Sequence, residues 1–194
     1  MIMMDNNGKI RVLGFAGSLR KDSFNKALIN TAKAYAPEGI EVEVIDLKGI
    51  PLYDQDEERN MPQSVVAFKS KIKEADAILI ATPEYNRSIP GVLKNAIDWA
   101  SRPYGQNSFD DKPIATIGAT GGQLIGTFAA QAHLRQIFSF LNAHPLERPQ
   151  LYIAGASEKI ENGLVVDEPT RDLIVDMLKS LAAWARRLKA AQPS

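Results

Sequence analysis

Short apolar runs recur along this chain, and each is followed by a longer stretch whose apolar residues fall three and four positions apart. Residues 10–16 (IRVLGFA), 77–82 (AILIAT) and 113–119 (PIATIGA) read as strands covered on both faces. Residues 41–46 (EVEVID) alternate with period two, which leaves one face wetter, and 149–154 form a last short strand. The stretches 25–36, 62–75, 91–101, 125–141 and 169–190 read as helices. Pro37 and Gly39 end the first, the third stops before Pro103, and Leu173, Val175, Met177, Leu178, Leu181 and Trp184 mark a packing stripe on the last. Parallel strands need crossover helices, so this alternation predicts an α/β fold: a five-stranded parallel sheet with helices on both faces. No repeat, low-complexity tract or long linker interrupts it, and residues 1–194 are read as a single domain. The acidic segment 54–60 (DQDEERN), within the loop 47–61, reads as a solvated excursion.

A chain of 194 residues suits one domain. Lys+Arg 23 and Asp+Glu 23 cancel, which argues against a nucleic-acid or membrane-surface partner, since both call for a basic excess. The balance also lacks the acidity of a small electron carrier that docks on basic partners. Cys 0 removes disulfides, zinc–thiolate sites, iron–sulfur clusters and thiol nucleophiles, and His 2 argues against a histidine metal site. No run of 18 apolar residues is present, and the opening MIMMDNNGK lacks the pattern of a signal peptide. A soluble, cytoplasmic protein is the expectation. Its chemistry falls to oxygen and nitrogen groups or to a borrowed cofactor.

Open sheets of this kind bind ligands outside the carboxyl ends of their strands, near the point where strand order reverses. Three loops lie there. The first, Gly17-Ser18-Leu19-Arg20-Lys21-Asp22-Ser23-Phe24-Asn25, joins a buried strand to a helix. Unpaired N–H groups of the first helical turn attract an anion, Ser18, Ser23 and Asn25 add neutral donors, and Arg20 adds a forked cation. This suits a phosphate monoester. The loop is neither GxxxxGK[ST] nor GxGxxG, so it matches neither a nucleoside-triphosphate nor a dinucleotide cradle. The plainer reading makes Ser23 or Asp22 a helix cap and Arg20 a solvated side chain.

The second loop, Thr82-Pro83-Glu84-Tyr85-Asn86-Arg87-Ser88-Ile89-Pro90, is stiffened by two prolines and offers a flat ligand the Tyr85 ring, the Asn86 amide and backbone N–H groups. Its plainer reading is a connecting turn with Tyr85 packed on the scaffold. The third loop, Ala119-Thr120-Gly121-Gly122-Gln123-Leu124-Ile125-Gly126-Thr127, has two adjacent glycines that allow close backbone approach and unusual φ, ahead of a helix whose positive end faces the same edge. A turn needing positive φ accounts for those glycines equally. His133, mid-helix, reads as a packed or interface histidine, His144 before Pro145 as ordinary surface, and Trp99 as core.

GSLRKDSFN after the first strand, PEYNRSIPGVLKNAIDWASRP after the third, and GATGGQ…AQAHLRQ after the fourth, taken in this order and at this separation, resemble the NADPH-dependent FMN reductases. These are flavodoxin-like flavoproteins that include quinone and chromate reductases. The similarity runs over residues 9–155. It implies a flavodoxin-like three-layer sandwich with strand order 2-1-3-4-5 and FMN at the switch point. By the same resemblance Ser18, Arg20, Ser23, Phe24 and Asn25 surround the FMN phosphate. Pro83, Glu84, Tyr85 and Asn86 lie along the isoalloxazine, and Gly121, Gly122 and Gln123 close its pyrimidine side, where the positive helix end favours charge on N1–C2=O. Homodimers or homotetramers with the flavin near the subunit interface are implied as well. Many relatives carry an Arg and a Tyr where this helix reads Ala129-Ala130-Gln131-Ala132-His133, so contacts made by those side chains are absent here.

The resemblance requires no catalytic side chain and no metal, because the flavin carries the hydride chemistry. NADPH or NADH stacks on the open flavin face, gives its hydride to N5 and leaves. A small-molecule acceptor, a quinone or free flavin, then takes its place, which implies ping-pong kinetics. Two rivals share the fold and cofactor: a flavodoxin-type electron carrier, and an FMN-binding regulator without steady turnover. A phosphate-ester hydrolase on the same fold lacks a nucleophile arranged with a base or metal.

Overall fold

The computed structural model describes residues 8–191; the first part of the segment weighed as a signal peptide lies outside them. The elements in chain order are β1 (Ile10–Ala16), α1 (Phe24–Ala34), β2 (Ile40–Ile45), α2 (Gln63–Glu74), β3 (Ala77–Ala81), α3 (Gly91–Ser101), β4 (Pro113–Ala119), α4 (Phe128–Phe140), β5 (His144–Pro145), β6 (Leu151–Ile153), α5 (Ala156–Lys159), β7 (Ile160–Glu161), β8 (Leu164–Val165) and α6 (Glu168–Ala191). The main sheet runs β2-β1-β3-β4-β5, with β6 also on β4, and its pairs are parallel.

Alternation along the strands divides the core in two. Val12 of β1 and Ala77, Leu79 and Ala81 of β3 pack with Leu28 and Ile29 of α1 and Ile174, Met177, Leu178 and Leu181 of α6. Leu13 and Phe15, with Ile78 and Ile80, face the other way, onto Phe68 of α2, Leu93 and Ile97 of α3 and Leu134 and Phe138 of α4. A period-two chain sandwiched between apolar helix faces gives this three-layer arrangement. The flavodoxin-like strand order and the covering of both faces are as the sequence implies.

Several expectations need correction. The fifth position in the sheet is filled by two pieces, because residues 147–150 leave β4 between β5 and β6. His144, read as surface loop, lies in β5, where its N–H donates to Lys112 O and its Nε2 is 3.2 Å from Asp111 Oδ1. The helix read from residue 125 begins at Phe128, because Thr127 is left-handed at φ 65° and the preceding segment folds back on itself. The hairpin β7–β8 was missed, although Asn162-Gly163, with φ 48° and 76°, is a strong signal for a two-residue turn. On α6 the stripe turns slightly: Ile174 is fully buried while Leu173 is half exposed. Trp99 is core, its Nε1 donating to Pro51 O at 2.9 Å.

The acidic loop is no loose excursion. Residues Gln55–Asn60 form a 3-10 turn, and the Glu58 carboxylate accepts from Tyr53 Oη and Arg102 Nε, each at 2.6 Å. Tyr53 packs edge-to-face on Trp99, with ring centroids 5.0 Å apart, and its N–H donates to Asn95 Oδ1 at 2.7 Å. One of the charges that made this segment look solvated, Glu58, fastens it to α3, while the other residues of 54–60 are exposed as expected.

Candidate functional site

The first loop leaves β1 pressed against α3: a Cβ on Gly17 would meet Leu93 Cδ2 at 2.9 Å, and the Gly17 N–H donates to Ala81 O. Ser18 and Ser23 are buried. Ser18 Oγ accepts from Arg20 N, and Ser23 Oγ caps α1 by accepting from Lys26 N, each at 3.4 Å. Both hydroxyls act as acceptors in these bonds, so their protons remain free to donate, and both residues line the cavity. The Arg20 guanidinium donates to Asp22 O and lies 5.2 Å from the Phe24 ring centroid, which holds it beside that turn. Asn25 also has a structural task. Its Nδ2 donates to Ala119 O at 3.2 Å and its Oδ1 accepts from Ala119 N at 3.0 Å, so the amide ties α1 to the end of β4 and keeps one of its two N–H donors for a ligand.

In the second loop Tyr85 and Ser88 exchange both backbone hydrogen bonds, closing a tight turn over Asn86 and Arg87. Both central residues are left-handed, at φ 51° and 62°, the conformation of a type I′ turn. Asn tolerates this backbone and Arg does so poorly. Tyr85 is 55% exposed and not packed on the scaffold. Asn86 sits at the exposed tip of the turn and, unlike Pro83, Glu84 and Tyr85, does not border the cavity. Glu84 Oε2 accepts from Ala129 N at 2.9 Å and Ala130 N at 3.2 Å. The positive end of α4 is thus already occupied by a carboxylate and is not free to favour charge on a ligand, as the sequence had suggested.

In the third loop neither Gly121 nor Gly122 is left-handed, so the turn reading of this pair fails. What Gly121 supplies is space, since a Cβ there would lie 3.3 Å from Phe24; one on Gly122 would make only ordinary contact with Thr120 Oγ1 at 3.8 Å. Gln123 is held by a 3.1 Å bond from its Nε2 to Glu158 Oε1 and lies against Gly155.

The three loops enclose a cavity of about 610 Å³, a size suited to a cofactor. Ser18, Arg20, Ser23, Phe24, Asn25, Pro83, Glu84, Tyr85, Gly121, Gly122 and Gln123 all border it. Sequence reading missed Arg87, Leu124 and Ile125 on the same wall. Arg87 is a cation on a carboxyl-edge loop and was open to discovery; Ile125 was absorbed into the helix assigned from residue 125, and Leu124 was read only as part of the glycine loop. One end of the cavity gathers hydroxyls, a cation and a helix N-terminus, and the other is flanked by stiff or glycine-rich backbone and apolar side chains. No cluster of metal-binding side chains is found among the described residues.

Fold and cavity together define a doubly wound α/β protein with a cavity at the switch point of its sheet, one end of it suited to an anion. Comparison with known proteins makes the class specific. Residues 10–158 match the family described as NADPH-dependent FMN reductase. The chain is 47% identical to an NAD(P)H-dependent FMN reductase of Pseudomonas aeruginosa, covering 93% of this chain and 97% of that one. It is 44% identical to a 2-hydroxy-1,4-benzoquinone reductase of a Burkholderia species, over 91% and 97%. Among solved structures it resembles FerB, a flavoenzyme NAD(P)H:(acceptor) oxidoreductase of Paracoccus denitrificans, with a TM-score of 0.80 and 38% identity over 92% of this chain and 98% of that one. The chain belongs to the NADPH-dependent FMN reductase family and is an FMN-dependent NAD(P)H oxidoreductase.

Proposed function

We propose that the cavity holds FMN and that the protein passes electrons from NAD(P)H to quinones or free flavin. The observation that carries this is the convergence of three loops, far apart in sequence, on one cavity with a phosphate-suited end. The phosphate sits among the Ser18 and Ser23 hydroxyls, Arg20 and the first amides of α1, with Phe24 beside it. Asn25 fixes Ala119 with its amide and borders the same end of the cavity. Pro83, the Glu84 backbone and Tyr85 flank the ring system, and Gly121, Gly122 and Gln123 close its far side. Bound FMN supplies the hydride chemistry, and the protein's task is to orient and enclose. One accessible side of the cavity, used in turn by the nicotinamide and the acceptor, gives ping-pong kinetics. Quinones as acceptors are supported by the named activity of the 44% identical Burkholderia protein.

The reading extends to the whole protein: one FMN-binding domain, working as a homodimer or homotetramer in the cytoplasm. Exposed Leu124, Ile125, Phe128 and Tyr85 around the cavity rim support self-association, because apolar side chains grouped in this way mark interfaces. The supply of NAD(P)H supports the location, and no helix among the described residues is long and apolar enough to cross a membrane.

The test is optical and kinetic. Purified protein is expected to show flavin absorption, to bleach under anaerobic NADPH, and to oxidise NADPH steadily when a quinone is added. A preparation that stays colourless after soaking in excess FMN would overturn the cavity assignment. Bleaching without steady turnover would overturn the reductase reading in favour of an electron carrier or regulator.

A further inference from the structure

Helix α4 begins without a cap of its own. At its N-cap position Thr127 is left-handed, and its Oγ1 accepts from Gln131 Nε2 at 3.1 Å. The first amides of a helix need acceptors, and these find theirs on another loop: Ala129 and Ala130 both donate to the Glu84 carboxylate, which is only 15% exposed. Four residues on, Ser88 Oγ lies 3.0 Å from His133 Nδ1, on the next turn of α4. Glu84 and Ser88 bracket the turn whose two central residues, Asn86 and Arg87, are left-handed. Asn86 tolerates that conformation but Arg87 does so poorly, and Arg87 Nη1 lies 3.6 Å from Glu84 Oε1, so the turn is held by contacts beyond its own backbone pair.

We propose that Glu84 is a positioning residue. Its carboxylate caps α4 from the neighbouring loop and, with the Ser88–His133 contact as a second attachment, holds the Tyr85–Ser88 turn at the rim. Its work is done through hydrogen bonds to backbone amides and not by touching the ligand. Two loops of the site thereby move as one body, and ligand affinity depends on a bond that no ligand touches. The proposal rests on the FMN reading only where it concerns affinity.

Amide deuterium exchange on the protein as purified, without added flavin, tests the mechanical part. Glu84→Ala is expected to raise exchange by about tenfold or more at Ala129, Ala130, Tyr85 and Ser88. Amides of β3 and β4 should stay protected. Glu84→Gln keeps an acceptor oxygen and is expected to restore most of the protection. FMN affinity, followed by titration, should fall by about tenfold in the alanine variant and recover to within about threefold in the glutamine variant. His133→Ala should raise exchange at Ser88 but not at Ala129. Unchanged exchange at Tyr85 and Ser88 in Glu84→Ala would overturn the proposal. So would equal affinity loss in both Glu84 variants with exchange unaltered, which would put the carboxylate on the ligand. If the alanine variant does not fold, exchange in Glu84→Gln and His133→Ala decides: wild-type rates at Tyr85 and Ser88 in both overturn it. A protein that binds no FMN would end the functional reading and leave the exchange result standing.

Discussion

Arg20 and Asn25 sit in the same loop, and geometry gives them different work. The Arg20 guanidinium is held by a carbonyl and a ring face, at the surface and free to turn to an anion. The Asn25 amide is buried and spends both its polar ends on Ala119. Arg20→Ala is therefore expected to weaken FMN binding by about 1.5–3 kcal/mol, the scale of a hydrogen bond to a charged group, with little change in apoprotein stability. Calorimetric titration with FMN measures it, and an unaltered affinity would remove Arg20 from the phosphate site. The sequence showed residue types able to meet a phosphate. It did not show which were already engaged, because Ala119 lies at a separation of |i−j|=94 from Asn25 and meets it only once β4 is laid in the sheet.

At the scale of elements, the segment after β2 shows how charge misleads a reading of sequence. DQDEERN has the composition of a solvated loop, yet Glu58 is clamped by Tyr53 and Arg102. Beside this clamp Lys69 Nζ donates to the carbonyls of Ala100, Arg102 and Gln106, closing the end of α3. Burial, with Lys73 nearby, pushes the Lys69 ammonium down to about 8 from its ordinary 10.5. The unfolded chain then binds that proton more tightly than the folded one, so this group makes stability rise as pH climbs from about 8 towards 10.5. Urea unfolding of the wild type and Lys69→Met across that window should show a rise in the wild type that the variant lacks. Parallel curves would show that Lys69 is not buried as described.

For the whole molecule, the exposed apolar side chains at the cavity rim predict an assembly. Light scattering on the purified protein is expected at two or four times the chain mass of 21.3 kDa, and a species at 21.3 kDa alone would refute it. Replacing exposed Leu124 and Ile125 by Ser should shift the distribution towards the single chain. Strand order and layering were legible beforehand, because β1, β3 and β4 are apolar on both faces and only a doubly covered parallel sheet accommodates such runs. The three ligand-side loops were legible for the same reason: in such a sheet the carboxyl ends are where loops gather. By itself the sequence determined the α/β class, the edge of the sheet that carries the site and the residue types gathered there, since these follow from periodicity and from local turn chemistry. Only the tertiary structure decided that Asn25 braces β4, that Glu84 caps α4 and that the acidic loop is bolted to α3. Each is a hydrogen bond between groups distant along the chain, and its donor and acceptor meet only after the core has packed.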